Sequence, residues 1–210
     1  MPIFFQHQPD VHTRLGIWKI EEEADFFSAH VPLHRSITHP RKRLQHLAGR
    51  YLLTYLFPGF PLHLILIADT RKPFLEDEAY HFSISHCGAY AAVIASTKQR
   101  VGIDIEIPTT KPLLIAHKFL HPDENNLLSI EESSNNAAAA TLLWSAKESM
   151  FKWWGRGNVD FSEMLRLSGS VNEVSGRLEG HFNHPHLDTR FPVHFQVFPD
   201  LVLTWIATAP

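Results

Sequence analysis

AAAATLLWSAKESMFKWW, residues 137–154, is the stretch on which the architecture turns. Leu142, Leu143, Ala146, Met150 and the pair Trp153–Trp154 recur at helical spacing, and Gly155-Arg156-Gly157 stops the run. An earlier stretch, HPRKRLQHLAGRYLLTYLF (39–57), has the same grammar. Leu44, Leu47, Tyr51, Leu52 and Tyr55 line one helical face, and Pro58-Gly59 ends it. Short strand-like runs follow each helix. After the first come Leu62–Ala68, His81–Ser85, Tyr90–Ser96 and Val101–Ile107, with Cys87-Gly88 as the turn of a hairpin. After the second come Leu165–Leu167, His194–Phe198 and Leu201–Thr208. Ahead of the first helix, Gly16–Ile20 reads as a strand and Glu21–His30 as a helix. The expectation is an α+β fold of two similar lobes, residues 1–103 and 104–210, each a long helix packed on antiparallel strands, together forming a pseudo-dimer. SIEESSNN (129–136) reads as a solvated loop, and Lys111–Asn126 carries no assignable pattern.

Composition narrows the function classes. Of 210 residues 44% are hydrophobic, which excludes a disordered chain. The net charge of -3 with histidine neutral is too small to argue for nucleic acid or for an anionic membrane surface as a partner. One cysteine, Cys87, permits no intramolecular disulfide. MPIFFQHQPDVH has no basic start followed by a long apolar run, and no apolar run approaches the ~18 residues a membrane helix needs. The chain reads as soluble and cytoplasmic.

The chemistry concentrates in a few short elements. In Val101-Gly102-Ile103-Asp104-Ile105-Glu106 the strand period of two puts Asp104 and Glu106 on one face. Two adjacent carboxylates repel unless a cation sits between them, and oxygen ligands suit Mg2+; the same pair can equally be two solvated acids on an edge. In Trp144–Lys152, Glu148 and Lys152 are four apart on a helix, which suits either a surface ion pair or a metal-bound phosphate. His86 ends a strand after Ser85, just before a glycine turn, where it can donate to an anion. Lys72-Pro73 lies in the preceding loop, and Arg41-Lys42-Arg43 with Arg50 is either a solvated helix start or an anion site. Three acids and several cations suit chemistry on a pyrophosphate, where transfer needs mostly positioning and charge neutralisation.

In this order, Lys72-Pro73, FSISH (82–86), GIDIE (102–106) and WSAKESMFK (144–152), the motifs resemble the 4'-phosphopantetheinyl transferases of the larger, two-lobed type, in which coenzyme A sits between the halves of a duplicated unit. The match runs from about Arg41 to Lys152. The resemblance implies that Asp104, Glu106 and Glu148 bind Mg2+, and that Glu148 also serves as base for the carrier serine, directly or through a metal-bound water. It implies that Lys152 and Lys147 contact the phosphates, that His86 with Ser85 nearby contacts the pyrophosphate, and that Lys72 and Pro73 line the adenine side. Arg43 and Arg50, with Lys42, are the candidates for the 3'-phosphate; helix periodicity does not choose among them. The implied reaction moves the phosphopantetheine arm of coenzyme A onto a serine of an apo-acyl or peptidyl carrier protein and releases 3',5'-ADP, on a chain that works as a monomer. A non-catalytic coenzyme A-binding module or carrier-binding module is the alternative. A zinc hydrolase built on His181, His184, His186 and His194 fits no tight ligand spacing.

Overall fold

The computed structural model describes residues 3–32, 37–128 and 133–209. They form two compact units, the first ending at Val101 and joined by Ala209, the second spanning Gly102–Thr208.

The first unit opens with β1 (Ile3–Asp10) and β2 (Thr13–Lys19), then α1 (Ala24–Ser28) and α2 (Pro40–Leu56). A two-stranded ribbon, β3 (Leu66–Ile67) with β4 (Pro73–Phe74), precedes the hairpin β5 (His81–Cys87) and β6 (Tyr90–Ser96). The sheet order is β1-β2-β6-β5, antiparallel throughout. α2 starts at Pro40, whose missing N–H costs nothing in the first turn. It lays Leu47, Ala48, Leu52 and Leu53 on a core with Phe27, Phe82, Ala91, Val93 and Ala95. Gly88 adopts φ 57 in the β5–β6 turn, a conformation that favours glycine. The edge strand β1 was not anticipated: it pairs with β2 alone, and most of its residues stay exposed.

The second unit holds β7 (Arg100–Glu106, whose first two residues belong to the first unit), α3 (Lys111–Leu114), α4 (Ser133–Trp154), β8 (Leu165–Ser168), β9 (Ser175–His184), β10 (Leu187–Val197) and β11 (Val202–Thr208). Its sheet order is β7-β11-β10-β9-β8. Leu142, Leu143, Ala146, Met150, Trp153 and Trp154 of α4 bury against Phe182, Val193, Phe195, Val202 and Ile206. Thr204 Oγ1 donates to the Ser145 carbonyl at 2.8 Å, and Trp153 Nε1 to Thr208 Oγ1 at 3.0 Å, which pins α4 along β11. Each unit is thus one long helix on an antiparallel sheet, the expected α+β plan.

Two boundaries differ from expectation. α4 begins at Ser133, so part of the expected loop 129–136 is helix; residues 129–132 lie outside the described residues. Ser and Asn favour helix starts as well as loops, and composition alone does not separate the two. β9 and β10 form a long hairpin, of which the sequence showed only the His194–Phe198 end as a strand. Pro185 occupies its turn, and Pro192 sits in β10 before the segment that pairs with β11, so its missing N–H is tolerated. The four C-terminal histidines are spread over this hairpin: His181 bonds Asp188 at 2.7 Å, His184 stacks near His186, and His194 stacks on Trp205.

Candidate active site

β7 and α4 meet at Gly102. A Cβ there would run into the carbonyl oxygen of Ser149 and lie 2.7 Å from the Trp153 nitrogen and 2.9 Å from its Cβ. Only a residue without a side chain lets the helix lie this close to the strand. Strand side chains alternate, so the face that carries Gly102 also carries Asp104 and Glu106. The acids are therefore aimed toward the helix, while Val101, Ile103 and Ile105 fill the opposite, buried face.

Lys152 answers from α4. Its Nζ donates to Asp104 Oδ1 at 2.6 Å, and Asp104 is only 3% exposed. Glu148, one turn earlier on the same helix, is half-buried. Burial, above all, pushes its carboxyl up to about 7; Lys152 opposes the rise, and Asp104 and Glu106 add to it. A carboxyl titrating near neutrality is suited to taking and releasing a proton. Three acids held within one another's field are also the arrangement a cation relieves. Among the described residues no group of three His, Cys, Asp or Glu side chains is gathered tightly enough to cage an ion. Mg2+ does not need such a cage: it keeps several waters and takes one or two carboxylates together with substrate phosphates. The all-oxygen donor set of Asp104, Glu106 and Glu148 fits that ion, and Lys152 is the cation presently on Asp104.

Lys147 corrects the expected phosphate set. It is fully buried, and its Nζ donates to the Phe119 carbonyl at 2.7 Å, to Glu124 Oε2 at 2.6 Å and to the Phe161 carbonyl at 3.0 Å. All three ammonium protons are spent inside the protein, which leaves none for a phosphate. Glu124 completes the knot: Oε2 also accepts from the His121 N–H and Oε1 from the Leu167 N–H. Burial pushes Lys147 down to about 8, against the pull of Glu124. The unassigned stretch after Pro108 thus supplies a buried counter-ion. Glu124 was missed because nothing periodic surrounds it.

The remaining residues lie in the first unit. Ser85 is buried on β5, and His86, next to it, is exposed. Pro73 opens β4, paired with Ile67, and Lys72 is half-buried before it. Arg50 is buried with its Nη1 3.0 Å from His46 Nδ1, whereas Arg43 and Lys42 are exposed near the start of α2. The structure therefore pairs Lys152 with Asp104, sets Glu148 one helical turn from Lys152 and within electrostatic reach of Asp104 and Glu106, and separates Arg43 from Arg50 by burial. Arg100, not singled out by the sequence, lies within electrostatic reach of Lys72.

The family model of the 4'-phosphopantetheinyl transferase superfamily matches residues 100–204, a span that contains β7 and α4. Enterobactin synthase component D of Escherichia coli is 33% identical over 170 residues, covering 78% of this chain and 76% of that protein. A Synechocystis protein named as a candidate 4'-phosphopantetheinyl transferase is 32% identical over 134 residues, covering 61% of this chain and about half of its own length. The Bacillus subtilis 4'-phosphopantetheinyl transferase Sfp is 39% identical over 98 residues, covering 44% of this chain and 42% of its own.

Proposed function

The chain belongs to the 4'-phosphopantetheinyl transferase superfamily, and from that premise we propose that it transfers the phosphopantetheine arm of coenzyme A to a serine of an apo-carrier protein, releasing 3',5'-ADP. The observation that carries this reading is the 2.6 Å pairing of Lys152 on α4 with the buried Asp104 on β7, with Glu148 one helical turn from Lys152.

In the reaction, the serine oxygen bonds to the β-phosphorus as the bond to the 3',5'-ADP oxygen breaks. Glu148 takes the serine proton; a free hydroxyl is a poor nucleophile near neutral pH, and a nearby base of matched pKa removes that barrier. Lys152 offsets charge building on the bridging oxygen. Mg2+, held by Asp104, Glu106 and Glu148, would neutralise the pyrophosphate. His86 and Ser85 are assigned to the pyrophosphate, Lys72 and Pro73 to the adenine side, and Arg43 and Arg50 to the 3'-phosphate. Lys147 has no donor to spare and is left out of the phosphate set.

Similarity to enterobactin synthase component D makes the carrier domains of such a synthase the first substrates to test. Two units of the same plan within one chain favour a monomer. Among the described residues no helix is long and apolar enough to cross a membrane, consistent with a cytoplasmic enzyme.

Incubation with coenzyme A, Mg2+ and a panel of apo-carrier proteins tests the reading. A mass gain of one phosphopantetheine arm on at least one carrier, lost on chelation, is expected. No gain on carriers that an authentic transferase modifies in parallel would overturn it.

A further inference from the structure

Glu124 and Lys147 tie four segments of the second unit at one buried point. Lys147 comes from α4, and its ammonium donates to Glu124, to the Phe119 carbonyl and to the Phe161 carbonyl. Glu124, in the helical turns Pro122–Leu128, also accepts from the Leu167 N–H of β8 and from the His121 N–H. Ser162 Oγ donates to the Leu120 carbonyl at 3.2 Å, so the segment after α4 is fastened to the segment before it. Lys147 is 0% and Glu124 3% exposed.

Stability alone is a poor account of this pair. Taking two charges out of water costs about what their attraction returns, and an apolar pair of similar volume often serves as well. What fixed hydrogen bonds add is direction. On one side α4 is held by Thr204, bonded to the Ser145 carbonyl, and by Thr208, bonded to Trp153. Lys147 lies two residues from Ser145, about 200° round the helix, so its bonds hold the opposite side. The other neighbours there are aromatic: Trp144 and Phe151 lie against Phe161, with ring centroids 5.7 and 5.5 Å apart. Apolar contact is non-directional and resists a small roll of the helix weakly. One ammonium on three fixed acceptors resists it strongly. That roll matters because Glu148 is the next residue, and Lys152 must hold its Nζ 2.6 Å from Asp104 Oδ1.

We propose that Glu124, acting through Lys147, is a positioning residue: it sets the roll of α4 that keeps Lys152 on Asp104 and fixes the direction in which Glu148 leaves the helix. The effect on turnover rests on the transferase reading; the effect on Lys152 rests on the buried knot itself.

The test removes both partners at once in the full chain. Glu124→Leu with Lys147→Met strands no charge, so it should unfold at higher urea than Lys147→Met alone. In the folded double variant kcat should fall about tenfold, as a displacement below 1 Å would give, with the KM for coenzyme A changed much less. Leu178→Ala, a buried core change in the same unit, is the control and should keep its kcat. A second readout needs no activity: acetylation of Lys152 by acetic anhydride, followed by peptide mass spectrometry relative to the exposed Lys98, should be several-fold faster in the double variant. Parent-like kcat, or an equal loss in Leu178→Ala, would overturn the positioning role, and so would unchanged Lys152 labelling. If the parent protein transfers nothing, the proposed function fails, and the labelling alone decides: faster upholds the knot's hold on α4, unchanged overturns it. If the double variant does not fold, Glu124→Gln, which keeps the side-chain volume, is read by the same measurements with the same outcomes.

Discussion

Gly102→Ala is the sharpest probe of how β7 and α4 build the site. The added methyl falls on the Ser149 carbonyl oxygen, with the Trp153 nitrogen at 2.7 Å and Trp153 Cβ at 2.9 Å. Comfortable separations are about 3.5–4.0 Å, so strand and helix must part by roughly 1 Å. The obstacles are mostly backbone and cannot rotate away. Nor can β7 retreat freely, since Ile103 and Ile105 on its other face are buried. Overpacking of this kind costs about 1–3 kcal/mol. The same displacement stretches the 2.6 Å contact between Lys152 and Asp104 beyond hydrogen-bonding range. A misplacement of about 1 Å in a catalytic constellation can cost roughly 100-fold in rate. Urea denaturation should show a lower midpoint with an unchanged slope. Transfer at saturating coenzyme A, measured where the variant stays folded, should fall about 100-fold. Leu178→Ala, in the same core but away from β7, is the control: it should lose about 2–5 kcal/mol and keep its turnover. Parent-like stability and turnover in Gly102→Ala would refute the close strand–helix contact and the argument built on it.

Lys147→Met strands the Glu124 carboxylate in the interior and should cost about 3–5 kcal/mol in denaturation; a change below about 1 kcal/mol would contradict the buried ion pair. In metal-free protein, Glu148 at about 7 in the folded state, against the ordinary 4.5, means the folded form binds the extra proton. The stabilisation, at most about 3.5 kcal/mol at ~1.4 kcal/mol per unit, is complete below pH 4.5 and is lost as pH rises through 7. Glu148→Gln should flatten the stability profile across that window, and an unaltered slope would exclude the shift. Lys152→Ala should lower kcat strongly, while Lys72→Ala should mainly raise the KM for coenzyme A; equal effects on both constants would count against the division of roles.

Much of this protein was legible in its residues because the signals are local. Apolar spacing named α2 and α4, a glycine turn named the β5–β6 hairpin, and strand alternation put Asp104 and Glu106 on one face. The motif order named the family. Glu148 and Lys152, one turn apart, were bound to share a helical face wherever that helix packed. Signals without local periodicity were misread. β1 offers little but its pairing with β2, and the β9–β10 hairpin hides behind two prolines that a turn and a half-paired strand can tolerate.

The fate of the two lysines on α4 marks the boundary. Helical geometry turns the chain by about 140° between Lys147 and Lys152, so the two leave α4 on different sides wherever it packs. Packing sets Lys147 against Glu124, brought from a stretch 23 residues away, and Lys152 against Asp104, brought from 48 residues away. Helix and strand periods fix the direction a side chain leaves its own backbone, but its charge state and its work depend on what arrives opposite, and that is set by packing between distant segments.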